Sequence, residues 1–152
     1  MKRLQSLVLP FLLGSCLLLP PPRIQELYQR QGHPLKAEEY TLVLAGVSVI
    51  EAGEEERVAD NTRRILDFLI RKHARNTSTP SSILYLSACL EEEAILRDYE
   101  TLNSITVELR LCTEEGGEPE TIALYSEETK NTLSSYRYLF RIVADTFGSL
   151  FP

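Results

Sequence analysis

Apolar residues recur at three different spacings along this chain, and each spacing predicts a different kind of element. Between Gly53 and Arg75, Val58, Ile65, Leu66 and Leu69 fall on one helical face. Glu54, Glu55 and Glu56 precede that face, and Arg71, Lys72, His73 and Arg75 close it. Both ends complement the dipole of a helix, so this is the best-defined helix of the chain. Ile105 to Leu111 alternates apolar and polar residues, which predicts a strand with one wet face. Tyr40 to Ile50 and Ile83 to Ala88 are continuous apolar runs. Their β-branched content favours buried strands, with buried helices as the rival, because periodicity alone does not separate the two.

Turn chemistry orders the remainder. Gly116-Gly117 and Pro119 mark a hairpin turn, with Thr121 to Tyr125 returning antiparallel to the alternating strand. The last helix carries Leu133, Tyr136, Leu139, Phe140, Val143 and Phe147 on one face; Ser126 is its expected cap and Gly148 its expected end. Three apolar runs lead into acidic residues: Glu54-Glu55-Glu56, Glu91-Glu92-Glu93 and Glu127-Glu128. Acidic residues favour first helical turns, so each run is expected to pass directly into a helix. By that reading a helix follows Cys89 and extends to about Thr101. Pro22 to Gln31 reads as a further short helix, with Ile24, Leu27 and Tyr28 on one side.

The expected fold is therefore a small α/β or α+β domain in the order β-α-β-α-β-β-α. It has a terminal hairpin and a C-terminal helix, and a short helix precedes it. A mostly helical bundle with one inserted hairpin is the alternative. The strand and helix order is similar to the layout of thioredoxin-like domains. That family's paired cysteines would fall at Glu51-Ala52-Gly53, and its proline at Leu102-Asn103-Ser104, so its redox chemistry is not implied.

The N-terminus has a pattern of its own. Lys2 and Arg3 precede an apolar stretch from Leu4 to Leu19, interrupted by Pro10. A basic start, an apolar run and small residues form a secretory signal peptide, expected over 1–16. Leu13-Gly14-Ser15-Cys16 resembles a bacterial lipobox. The resemblance implies a diacylglyceryl group on the Cys16 thiol and a membrane anchor. An ordinary cleaved signal and an uncleaved apolar helix are the other readings. Leu17-Leu18-Leu19 departs from the polar tether common in lipoproteins. Pro20-Pro21-Pro22 is a stiff spacer, so 17–36 reads as stem and short helix and 37–152 as the globular domain.

Composition adds three constraints. The chain has 152 residues, enough for one core, and a net charge of −6. Without Lys2 and Arg3 there are 14 basic and 22 acidic residues, a net −8. No basic stripe stands out in the sequence, which argues against nucleic acid and against direct docking on an anionic bilayer. Cys89 and Cys112 remain once Cys16 is modified or removed; in an oxidising compartment they suggest one disulfide, the alternative being two buried thiols. Asn76-Thr77-Ser78 is a chance-level glycosylation triplet.

No motif with catalytic or metal-binding spacing occurs, so no cofactor is expected. His33 lies in a Gly-His-Pro turn and His73 in a basic helix end. Consecutive glutamates on a helix diverge by about 100°, so a triplet does not converge on a cation. The expected function is a non-catalytic accessory or binding domain outside the cytoplasm, tethered or secreted, with a protein partner. Its contact surface should be an apolar patch or the edge of the hairpin, with Thr106, Glu108 and Arg110 on the wet strand face. A small hydrolase-like enzyme would instead need a deep pocket joining His73 or Asp98 to another titratable group. A cytoplasmic structural protein with an apolar N-terminal helix is the third reading.

Overall fold

A computed structural model of the chain describes residues 29–31, 40–50, 52–75 and 82–151. The expected signal peptide, Cys16, most of the expected stem, His33 and the glycosylation triplet lie outside these residues. The described elements are β1 (Gln29–Gln31), β2 (Tyr40–Ile50), α1 (Glu55–Ala74), β3 (Ser82–Arg97), β4 (Glu100–Cys112), β5 (Thr121–Thr129) and α2 (Tyr136–Leu150). Four long strands and the three-residue β1 form one mixed sheet in the order β1-β5-β4-β3-β2. Only β2 and β3 run parallel, joined through α1; the other pairs are antiparallel. The fold is α+β.

The core follows from strand alternation. Leu84, Leu86, Ala88 and Leu90 of β3 point to one side, with Ile105, Val107, Leu109 and Leu111 of β4 and Ala123 and Tyr125 of β5. Both helices lie on that side. Val58, Ile65 and Leu66 of α1 and Leu139, Ile142, Val143 and Leu150 of α2 complete the core. The helices run side by side in the same direction, since Arg57 reaches Ser134, Phe68 meets Phe140, and His73 meets Phe147. Among the described residues no helix covers the opposite face of the sheet.

Both ambiguous apolar runs are strands. Pairing of β2 with β3, from Tyr40 opposite Ser82 to Ile50 opposite Glu91, satisfies a backbone whose side chains are apolar on both faces. A bulge between Leu44 and Gly46 shifts the register once.

Three expected helical features are corrected. Gln29–Gln31 is not a helix end but a strand, antiparallel to Ile122–Leu124 of β5. The expected helix after Cys89 is the second half of β3, paired residue by residue with β4 from Leu90–Val107 to Arg97–Glu100. Leu, Glu, Ala and Arg favour helix locally, but pairing with the strongly alternating β4 overrides that weak preference. Ser126 lies inside β5, so Ser135 occupies the N-cap position of α2, and the helix continues past Gly148 to Leu150.

The turns match their residues. Asp98 (φ 48°) and Tyr99 (φ 68°) form the two-residue β3–β4 turn, both left-handed as a type I′ hairpin requires. Gly116 takes φ 74° in the β4–β5 turn, where Gly117 N–H donates to Glu114 O at 3.0 Å. No helix among the described residues is long and apolar enough to cross a membrane.

Candidate interaction surface

The helix-free face of the sheet is built by the alternate residues of the same strands. Directly opposed residues share a face, so the register can be read across four strands. One row is Ile122, Arg110, Ser87 and Gly46; the next is Leu124, Glu108, Cys89 and Ser48. Above them lie Ser126, Thr106, Glu91 and Ile50, and below them Cys112, Tyr85 and Val43. The three residues expected on the wet face of β4, Thr106, Glu108 and Arg110, are thus together on this surface, at its middle strand.

Small residues hollow the surface at its centre. Gly46, Val47, Ser48, Ser87, Ala88, Cys89 and Arg110 line an open concavity of about 360 Å³. The β2 bulge lies beside it. Arg110 forms an ion pair with Glu108 two residues along the same strand. The hydrogen bond from that pair, with the carboxylate's charge, holds the Arg110 guanidinium above its ordinary pKa. Apolar side chains surround the hollow: Val43, Ile50 and Ile83 are 40 to 51 % exposed, and Tyr85, Ile122 and Leu124 are half-buried. The surface is therefore apolar at its rim and carries a neutralised ion pair at its middle.

The sheet has two edges among the described residues. Over Ile122–Leu124 the β5 edge is covered by β1. The other edge is β2, eleven residues without a charge or a proline and without a paired neighbour on its outer side among the described residues.

Cys89 and Cys112 are both free thiols. Cys89 stands opposite Glu108 while Cys112 stands opposite Tyr85, four positions further along β4. At about 3.3 Å per residue that is roughly 13 Å, beyond the reach of a disulfide. The expected Cys89–Cys112 bond is therefore corrected to two separate thiols. Cys89 is half-buried in the hollow; Cys112 is buried and its thiol faces Gly117 O at 3.5 Å.

The groups considered for catalysis do not meet. Asp98 sits at the exposed tip of the β3–β4 hairpin, and His73 packs against Phe151 and Phe147 at ring distances of 4.8 and 6.4 Å. Strand alternation splits the Glu91-Glu92-Glu93 triplet. Glu91 and Glu93 face the helix-free side, while Glu92 accepts the Leu133 N–H at 2.8 Å. Among the described residues no group of three or more His, Cys, Asp and Glu is placed to hold a metal ion.

One polar cluster was not visible in the sequence. Glu127, on the helix side of β5, accepts hydrogen bonds from Tyr125 at 2.5 Å and Tyr138 at 2.8 Å. Arg141 approaches it at 3.5 Å and lies over the Tyr138 ring. Burial first, then the Glu127 hydrogen bond and charge, push both phenols above the ordinary tyrosine range. The cluster ties α2 to the sheet.

No protein-family model matches this chain, and no curated protein matches it. Among solved structures it is similar to the PelC dodecamer of Paraburkholderia phytofirmans, at 14% identity and a TM-score of 0.48. That match covers 83% of this chain and 99% of the other. A single-substitution variant of the same dodecamer aligns at 11% identity and a TM-score of 0.48, over 82% and 96% of the two chains.

Proposed function

We propose that this chain is a non-catalytic accessory domain, exported from the cytoplasm and held at a membrane through Cys16, which engages a protein partner on the helix-free face of its sheet. The observation that carries the reading is the uneven cover of that sheet. Two helices bury one face, while the other keeps Val43, Ile50 and Ile83 in solvent around a hollow floored by small residues. Exposed apolar side chains gathered around a neutralised polar centre offer a surface that a protein contact would bury. The basic, apolar and small-residue order of Met1 to Cys16 supports export, and the proline spacer suits a domain held off its anchor.

Two measurements on the native host test this. Intact mass of the membrane-extracted protein should show loss of residues 1–15 and a lipid adduct on Cys16. A photo-crosslinking residue at Thr106 should yield one discrete adduct that a control position at Arg63 lacks, and Ser87→Arg, which fills the hollow, should abolish it. An untrimmed chain overturns the export half of the reading; no adduct at Thr106, or one insensitive to Ser87→Arg, overturns the surface half.

A further inference from the structure

Charge is sharply divided between the layers of this acidic chain. Residues 82–135 contain twelve acidic and three basic residues, whereas 55–75 and 136–151, the two helices, contain five acidic and eight basic ones. The helical layer is thus locally cationic on a chain of net −6.

The cations are not spread evenly round α1. Arg57, Arg64 and Arg71 recur every seven residues, and so do Asn61, Phe68 and Arg75. At 3.6 residues per turn these six form one stripe about 27 Å long. Two contacts fix where the stripe lies: Arg57 donates to Ser134 O, and Phe68 packs on Phe140 at 6.3 Å. It therefore borders the solvent side of the α1–α2 groove. On the α2 side stand Tyr136, Phe140 and Arg137, and Phe68 and Tyr136 are 55 and 52 % exposed. Ala144 is half-buried beside Phe140, and Gly148 lies on the exposed outer side of α2, where an added side chain would meet nothing within 4 Å.

Arg57 is paired with Glu54, but Arg64, Arg71, Arg75 and Arg137 form no ion pair with any described residue. All four are exposed. An aromatic floor between unpaired cations calls for a ligand with apolar and anionic groups together. We infer that the α1–α2 groove docks an acidic amphipathic helix of a partner protein, its apolar side chains on Phe68, Phe140 and Tyr136 and its carboxylates on Arg64, Arg71, Arg75 and Arg137.

The shape of the face selects a helix over a flat anionic bilayer. The buried residues of α1, Val58, Ala59, Thr62, Ile65 and Leu66, centre on the side opposite Arg71, so the ridge furthest from the sheet carries Arg71 and Arg64 interleaved with Asp60 and Asp67. A flat anionic surface meets the Asp60 and Asp67 carboxylates together with the cations there, and Arg63, on the far side of Asp67, is already paired with Asp60 at 2.7 Å. A rod lying on the α2 side of that ridge meets Arg64, Phe68 and Arg75 and leaves Asp67 behind it. Their seven-residue repeat matches the repeat at which a packed helix presents its own side chains. This inference uses the layer opposite the proposed partner face and does not depend on that proposal.

The test uses the full chain and a monomeric stapled helix of about four heptads, leucine on its narrow face and glutamate on both flanks. Binding is read by fluorescence anisotropy. Affinity should fall with rising salt, and Arg64→Glu with Arg71→Glu should weaken it at least about tenfold. Both substitutions are at exposed positions, and circular dichroism confirms that the doubly substituted chain is folded. Phe68→Ser should weaken binding independently of salt. The inference is overturned if the acidic helix does not bind, or if a lysine-flanked control binds as tightly. It is also overturned if the charge reversals leave affinity unchanged. Phosphatidylglycerol vesicles that bind the chain where the helix does not would replace it with a membrane surface. Self-association abolished by the charge reversals would replace it with a second copy of this chain.

Discussion

Tyr138 on α2 donates its phenolic hydrogen to Glu127 on β5 at 2.8 Å, across the junction between helix and sheet. Tyr125 donates to the same oxygen. The Glu127 side chain is only 12 % exposed, so the carboxylate exchanges water for these two donors and the nearby Arg141 guanidinium. Removing it leaves two phenols without their acceptor. Glu127→Ala should therefore destabilise the fold by about 2–3 kcal/mol, read as a lower urea midpoint at unchanged slope. Glu127→Gln keeps an acceptor and should cost less. Equal midpoints for the wild-type and Glu127→Ala chains would show that the cluster contributes nothing to stability.

The same cluster gives a pH dependence. Burial and the adjoining carboxylate raise the pKa of Tyr125 and Tyr138 in the folded chain. A raised folded-state pKa means the native chain holds these protons longer than the unfolded one. That stabilisation is complete below the ordinary tyrosine pKa of about 10 and declines as pH rises above it. The fold should lose stability above about pH 10, and the two phenols should ionise only as it opens. Absorbance near 295 nm, followed alongside circular dichroism, should show phenolate appearing with the unfolding transition. Replacing both by phenylalanine should remove that component, and an unchanged profile would sink the assignment.

The sequence carries most of this fold where one period dominates. Alternation from Ile105 to Leu111 identifies β4, and the spacing of Val58, Ile65, Leu66 and Leu69 with its charged ends identifies α1. The errors occur where local preference and tertiary pairing disagree. Leu90 to Arg97 has helix-forming composition, yet it becomes a strand because each of its eight residues has an opposed partner on β4, continuing the ladder that begins at Tyr85. Glu127 appeared to start a helix because acidic residues favour first turns; its true partners, Tyr138 and Arg141, lie beyond the next turn and are brought back only by the fold. The wet face of β4 was legible in its alternation. The cationic stripe was not, because net charge hides a division between layers.

The β3–β4 turn stores strain that can be relieved. Asp98 and Tyr99 both hold positive φ, and Tyr99 is fully exposed, so no packing compensates. Asparagine and glycine suit these two positions of a type I′ turn. Asp98→Asn with Tyr99→Gly should raise stability by about 1 kcal/mol, seen as a higher melting temperature. A lower one would mean that Tyr99 makes contacts the fold needs.

The separation of the two thiols has a chemical consequence. With Cys16 replaced by serine, mild oxidation followed by peptide mapping should recover Cys89 and Cys112 in no shared disulfide. A thiol reagent should modify Cys89, which opens into the hollow, well before buried Cys112. Recovery of a Cys89–Cys112 peptide from folded protein would contradict the register between β3 and β4.

Adjacent residues of β3 test which face of the sheet is core. Leu84 is fully buried beneath the helices, whereas its neighbour Ile83 is 51 % exposed on the opposite side. Leu84→Ala removes buried methyl groups from a packed site and should cost about 3 kcal/mol. Ile83→Ala removes groups already in water and should cost under about 1 kcal/mol. Chemical denaturation of the two variants separates these values easily. A reversed order would place the helices on the other face, because a slip of one residue exchanges every side chain between core and solvent. A small cost for Ile83→Ala combined with loss of the Thr106 adduct would show that this apolar residue serves contact rather than stability.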